Sequence, residues 1–275
     1  MNPETTAPAP SRVDQLRAAA PSLVPAVTGG LFWTTKILTT GAGEVASDYL
    51  GRSALAPLEV GLAGVLFVWA MVAQFKAKAY SPTRYWLAAL MVSVFGTSVA
   101  DIVHVVLGVS YVVSTAVLAV MLAVILTWWR RSEGTLSIHT VNNPRRQRFY
   151  WSTVMITFAL GTAAGDMFAR NLNLGYLWPG LLFTALILLP LAGWRAGLGA
   201  VGCFWTAYIL TRPLGASYSD WAAVEPSRGG IGLGAGPVAL ALFVAIAVVL
   251  AITEAVERST RRRAIECDLE ELDAA

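Results

Sequence analysis

Charge is what this chain has least of. Of its 275 residues only 13% are Asp, Glu, Lys or Arg, whereas 56% are hydrophobic, and the mean hydropathy is +0.61. A soluble domain carries about 25% charged residues, so a soluble globular protein is a poor fit. A disordered chain, which needs low hydrophobicity and high net charge, is a worse one. Cysteine is nearly missing too. Cys203 and Cys267 cannot build a disulfide framework or a cysteine-rich zinc site. The net charge of +3 is too small to point to nucleic acid. There is no HExxH helix, no nucleophile elbow and no phosphate-binding glycine loop. The expectation is therefore a protein that is not an enzyme, with no catalytic residues. The first twenty or so residues lack the apolar core and cleavage site of a secretory signal. They read as a cytoplasmic tail, with a short surface helix over Ser11 to Ala20.

Long apolar runs are what the sequence does have. A helix needs about 20 apolar residues to cross a bilayer. Runs of that kind cover Pro25–Tyr49, Leu58–Phe75, Arg84–Val106, Val109–Trp129, Phe149–Arg170, Leu174–Trp194, Leu198–Ser219 and Leu233–Thr253. The expected fold is all-α and integral to the membrane, with eight transmembrane helices. Residues 1–24 form a tail, 25–129 one membrane half, 130–148 a polar loop, 149–253 the second half and 254–275 a charged tail. The break at Gly108 is so short that the third and fourth helices must form a tight hairpin. Basic residues test the count. With the N-terminus inside, Arg12, Arg17, Lys76, Lys78, Arg84, Arg130, Arg131, Arg145, Arg146, Arg148, Arg195, Arg258, Arg261, Arg262 and Arg263 fall on the cytoplasmic side. Only Arg52, Arg170 and Arg228 fall outside. The bias predicts cytoplasmic termini.

A fourfold repeat organises these runs. Four segments open with an aromatic–Trp pair: Phe32-Trp33, Tyr85-Trp86, Tyr150-Trp151 and Phe204-Trp205. Ten residues after each Trp stands Gly43, Gly96, Gly161 or Gly215. Fourteen after it stands Ser47, Ala100, Gly165 or Ser219, and fifteen after it Asp48, Asp101, Asp166 or Asp220. Each repeat is a motif helix followed by a plain apolar helix. Two spans per repeat keep successive repeats in one orientation, related by an axis along the membrane normal. The Trp residues are expected at the cytoplasmic interface. Fifteen residues of helix rise about 22 Å, so the four aspartates should share one depth near the outer side.

The pattern resembles a family of uncharacterised bacterial membrane proteins built from four tandem two-helix repeats of unknown function. The resemblance runs from about Val24 to Thr253. It rests on the stretch from Lys36 through Thr39-Thr40-Gly41-Ala42-Gly43-Glu44 to Asp48, on Gly161-Thr162-Ala163-Ala164-Gly165-Asp166, and on Thr211-Arg212-Pro213-Leu214-Gly215-Ala216-Ser217. It implies the eight-helix topology and points to manganese as a candidate substrate.

The remaining intramembrane polar residues are few. An ionised Asp at the centre of a membrane helix costs about 2.5–3.5 kcal/mol on insertion scales, so such groups face protein or water and need partners. Glu44 and Asp48 share one helix face, and so do Asp101 and His104. Carboxylates with an imidazole suit a divalent first-row metal, which makes Glu44, Asp48, Asp101 and His104 the candidate metal set. Asp166 and Asp220 complete the candidate ion-binding set. The bland alternatives are capping or solvation for the Asp residues and a structural hydrogen bond for His104. His139, in the polar loop, reads as exposed. Thr97 and Thr162 take the place of Glu44 in repeats two and three. Gly43, Gly96, Gly161, Gly165 and Gly215 belong to small-xxx-small pairs that let helices approach closely. Lys36 and Arg212 lie too far from the acids of their own helices to pair, so each should meet a neighbouring helix, as a structural ion pair or a coupling and gating element. Pro213 removes a backbone donor, and a local break there would expose carbonyls.

The function expected on these grounds is transport of a cation, with a divalent metal such as manganese first. A proton-coupled transporter of a small organic solute and a non-transporting scaffold or sensor are the alternatives. Expected partners are the lipid bilayer, the transported cation or solute and, as an open choice, further copies of the chain.

Overall fold

The structure is a computed structural model, and it describes residues 22–25, 28–171 and 175–273. Among these residues it holds eight α-helices and no strand: α1 (Gly30–Gly51), α2 (Ala56–Phe75), α3 (Pro82–Asp101), α4 (Tyr111–Glu133), α5 (Pro144–Asp166), α6 (Leu177–Arg195), α7 (Ala200–Ala223) and α8 (Ala235–Asp273). Each apolar run has its helix. The surface helix expected over 11–20 lies outside the described residues.

Local chemistry sets the helix ends. Proline, which has no N–H to leave unsatisfied in a first turn, stands there in α2, α3 and α5. Asn143 also caps α5, its side chain accepting from the Arg146 backbone N–H at 2.9 Å. Gly108, at φ 65°, makes the tight turn between α3 and α4, a conformation that side-chain-bearing residues avoid. The last helix runs further than its apolar stretch. It spans 39 residues, about 58 Å at 1.5 Å per residue.

The motif helices form a closed ring in which α1 packs on α3, α3 on α5, α5 on α7, and α7 back on α1. The plain helices lie outside it. Helix α2 packs on α3, α4 on α5 and α6 on α7, while α8 returns to α1. Each plain helix thus leans on the motif helix of the next repeat, and the last repeat closes on the first. Successive parallel repeats around one axis produce this arrangement.

Among the described residues six helices are long and apolar enough to cross a membrane: α2, α3, α4, α5, α6 and α8. Their outer faces expose Leu58, Val65, Trp69, Val120, Leu189 and Val244, a continuous apolar surface larger than a soluble monomer tolerates. The arrangement is that of a multi-pass membrane protein. Helices α1 and α7 are not among the six, and their content explains why. They carry Lys36, Glu44 and Asp48, and Arg212 and Asp220. Packed between other helices, they trade lipid contact for contact with protein.

The break expected at Pro213 does not occur, and α7 is continuous from Ala200 to Ala223. Its proline turn is held against α5 at Gly161, where an added Cβ would lie 2.3 Å from Arg212 Cγ and 3.1 Å from Pro213 Cδ. Irregular backbone appears instead just after two of the repeat aspartates. The chain enters a π-turn at Ile102–Val106 after Asp101, and another at Met167–Asn171 after Asp166. Such turns in helices are often found at functional sites.

Candidate functional site

The polar residues of the motif helices stack in layers along the axis of the ring. At the Trp end the layer is aromatic. Each aromatic–Trp pair adopts the same edge-on geometry, with interplanar angles of 86° for Phe32–Trp33, 86° for Tyr85–Trp86, 84° for Tyr150–Trp151 and 82° for Phe204–Trp205. The Tyr85 and Tyr150 hydroxyls hydrogen-bond to each other. Trp86, Trp151 and Trp205 are buried between the helices and plug that end of the bundle. Trp205 Nε1 donates to the Leu136 carbonyl at 2.9 Å, joining this plug to the loop between α4 and α5. Trp33 borders an apolar cavity of about 410 Å³ that it shares with Ile37, Leu136, Pro190, Trp194 and Phe204.

One turn inward lies Lys36. It is fully buried, and its Nζ sits 3.9 Å from the Phe158 ring centre and 4.1 Å from that of Tyr208. Sequence spacing led to a carboxylate on a neighbouring helix; the neighbours are aromatic faces. Its Nζ has no hydrogen-bond partner among the described residues.

The next layer is centred on Arg212, which is 1% exposed. From α7 its guanidinium reaches the three other motif helices. Nη2 donates to Glu44 Oε2 of α1 at 2.6 Å, to Thr97 Oγ1 of α3, and to Thr162 Oγ1 of α5 at 2.7 Å. Nη1 donates to the Thr40 carbonyl at 2.9 Å. Thr97 Oγ1 also donates to Glu44 Oε2, at 3.4 Å. Glu44, Thr97 and Thr162 stand eleven residues after the Trp of their repeats; the fourth such position is Ala216. Three repeats thus supply oxygens around the axis, and the fourth supplies the cation from one turn earlier. Opposite charges so placed satisfy each other, whereas either alone would be a costly buried charge.

The aspartates come one turn beyond, towards the opposite end, and their surroundings differ. Asp48 is partly exposed and pairs with Arg52 at 2.6 Å. Asp101 accepts from Ser47 Oγ at 3.4 Å, and Ser47 also bonds Ser98 at 2.8 Å. Asp166 and Asp220 are buried and engaged by other groups. His104 lies in the π-turn, with Nε2 2.6 Å from Ser114 Oγ and its ring centre 4.1 Å from that of Tyr111. His139 is exposed. Among the described residues no three of His, Cys, Asp and Glu group closely enough to hold a metal ion. The set Glu44, Asp48, Asp101 and His104 is therefore not one coordination sphere. Glu44 bonds Arg212, Asp48 pairs with Arg52, and His104 Nε2 lies within hydrogen-bond distance of Ser114.

The small-residue positions also separate. A Cβ on Gly43 would lie 2.3 Å from Ser93 Cβ, and one on Gly215 would lie 2.9 Å from the Ile37 carbonyl oxygen. With Gly161 these glycines allow the ring to close. A Cβ on Gly96 or Gly165 would meet its nearest neighbour at 3.9 Å, so close packing does not demand glycine there.

Sequence spacing missed Phe158, Tyr208 and Thr40. The signal was present in the repeat register. Phe158 and Thr40 stand seven residues after their Trp, as Arg212 does, and Tyr208 stands three after, as Lys36 does.

Fold and site together define a tandem-repeat helical bundle of membrane type with a charged core. Residues 84–135, 149–196 and 203–259 match the family described as Repeat of Unknown Function (DUF347). These segments are the second, third and fourth repeats and cover more than half of the chain, which belongs to that family. No curated protein and no solved structure matches it.

Proposed function

We propose that the protein is a permease that moves a small solute along the axis of the ring, with the Glu44–Arg212 pair as its closed gate. One observation carries this reading: a single buried guanidinium on the axis is held by residues from every motif helix. Opening the axis requires that cluster to part. Arrival of a competing ligand would weaken Arg212's hold on α1 while leaving its bonds to Thr97 and Thr162. Charged residues inside a membrane bundle mark solute and proton pathways in general. The excess of basic residues on one side supports cytoplasmic chain ends, and the resemblance carried by the repeats supports a bacterial inner membrane.

A divalent metal such as manganese fits the axis less well than an uncharged or anionic solute. In the two layers nearest the aromatic end, Lys36 and Arg212 bring two positive charges and Glu44 one negative charge, the aspartates lying one turn beyond. A proton-coupled transporter of a small organic solute is the better match.

Reconstitution tests the reading. Proteoliposomes should be offered manganese(II), potassium formate, potassium chloride and glycine in turn, with uptake and internal pH followed. Uptake above protein-free vesicles is expected for at least one non-metal solute, rising at least tenfold in folded Glu44→Gln and Arg212→Lys variants, which loosen the pair that holds the gate closed. Asp48→Asn, at the partly exposed end of α1, should transport as the parent does. Unchanged flux in the folded Glu44 and Arg212 variants would sink the gate. Uptake confined to manganese and lost with Asp101→Asn or Asp166→Asn would return the site to a metal.

A further inference from the structure

We infer that Lys36 is the seat of a binding site for a small monovalent anion. The inference rests on the permease reading above for its biological use, and on the geometry alone for the site.

The charges of the Lys36 and Arg212 layers do not balance. Glu44 is fully engaged by Arg212, through the 2.6 Å bond and the Thr97 hydroxyl that bridges them. Lys36 is left without a carboxylate. It forms no ion pair among the described residues, and its Nζ has no hydrogen-bond partner although it is fully buried. Two aromatic faces at 3.9 and 4.1 Å are its nearest polarisable neighbours. Cation–π attraction recovers only part of the hydration that burial removes from an ammonium. A buried lysine of this kind holds its charge only beside a counter-charge, so an anion that seats there also fixes the ammonium.

The neighbouring cation has spare capacity in the same place. Arg212 lies over the same Phe158 ring, 5.4 Å from its centre. Its Nη groups are spent on Glu44, Thr97, Thr162 and the Thr40 carbonyl, but its Nε–H is buried and has no partner. Two donors with no acceptor therefore flank Phe158, and both are cationic. A ligand for them must accept hydrogen bonds and bring negative charge. One uncompensated charge calls for one negative charge. The tight aromatic walls call for a small ion, of the size of a halide or formate. Phosphate, sulfate and dicarboxylates carry too much charge and bulk. Within a permease, such an ion would be the cargo or its obligatory companion, seated one turn from the gate it helps to release.

Binding can be read without transport. Purified full-length protein in detergent should broaden the chloride-35 NMR line in a saturable way, and formate should reverse the broadening by competition. Formate binding should also be seen directly by calorimetry. Lys36→Met fits the aromatic cage in size and should fold; it should weaken both signals at least tenfold. Lys36→Arg should restore most of the binding, because it keeps the charge. The inference fails if wild-type protein gives no saturable signal with either ion, or if folded Lys36→Met binds as wild type does. Saturable, Lys36-dependent binding with no flux of any solute would remove the permease and leave the site. Flux with no such binding would remove the site and leave the permease.

Discussion

Arg212→Met should destabilise the folded bundle by about 3–5 kcal/mol, and Glu44→Met by a similar amount, because each change leaves the other charge buried and unpaired. The double variant Glu44→Met/Arg212→Met should lose far less than the two single losses added together. Apolar replacement of a whole buried ion pair is often close to neutral, and the surroundings of this one are helices and threonine hydroxyls. The cycle is specific to this site because Arg212 and Glu44 are 168 residues apart in sequence and meet only if the last repeat closes on the first. Unfolding in mixed micelles measures all four states. Additive single losses would mean that the two side chains do not share a site.

Gly215→Ala and Gly43→Ala should each cost about 3 kcal/mol or more, at the upper end of what overpacking usually costs. At Gly215 the new methyl group would lie 2.0 Å from Thr40 Oγ1, 2.9 Å from the Ile37 carbonyl oxygen and 3.0 Å from the Gly41 nitrogen. Two of those atoms are backbone, so a rotamer change cannot relieve the clash and α1 must move away from α7. At Gly43 the methyl would meet Ser93, including its carbonyl carbon at 2.9 Å, and α1 must move from α3. Gly96→Ala and Gly165→Ala are the contrasting pair. Their nearest neighbours at 3.9 Å accept a methyl group, and alanine is the better helix former by about 0.5–1 kcal/mol. These two should be neutral or slightly stabilising by the same unfolding measurement. Equal losses at all four positions would mean that the glycines act through helix flexibility rather than through contact.

Much of the architecture was legible in the sequence, because a lipid-facing helix must be apolar along its whole length. Each of the eight runs became a helix, and the repeat spacing carried into identical aromatic–Trp geometry in all four repeats. The interior was less legible. Periodicity places Glu44 and Asp48 on one face, and they do lie near each other along α1. It cannot say that Arg212, far along the chain, offers Glu44 a stronger partner than Asp48 or His104 could. The metal set was drawn from spacings within single helices, whereas the ring is held by bonds between helices. Pro213 carries the same lesson. A proline alone reads as a break, but the cleft beside Gly161 supports the turn, and the helix continues. The aspartates share a repeat position yet not an environment, because Arg52 serves Asp48 whereas Ser47 serves Asp101.

Closure of the ring between the first and last repeats underlies the gate, the anion site and the glycine contacts alike. An engineered disulfide between Gly41→Cys on α1 and Ser219→Cys on α7 tests that closure most directly. A Cβ at position 41 would lie 3.3 Å from Ser219 Cβ, slightly closer than the separation of about 3.5–4.5 Å that a disulfide spans, so a shift of a few tenths of an ångström admits the bond. In a background carrying Cys203→Ser and Cys267→Ser, mild oxidation of the membrane-embedded protein should join the two helices. Mass spectrometry should then recover the linked peptides in most molecules. If both thiols stay free and open to alkylation in folded protein, the first and last repeats do not meet and the axial site does not exist.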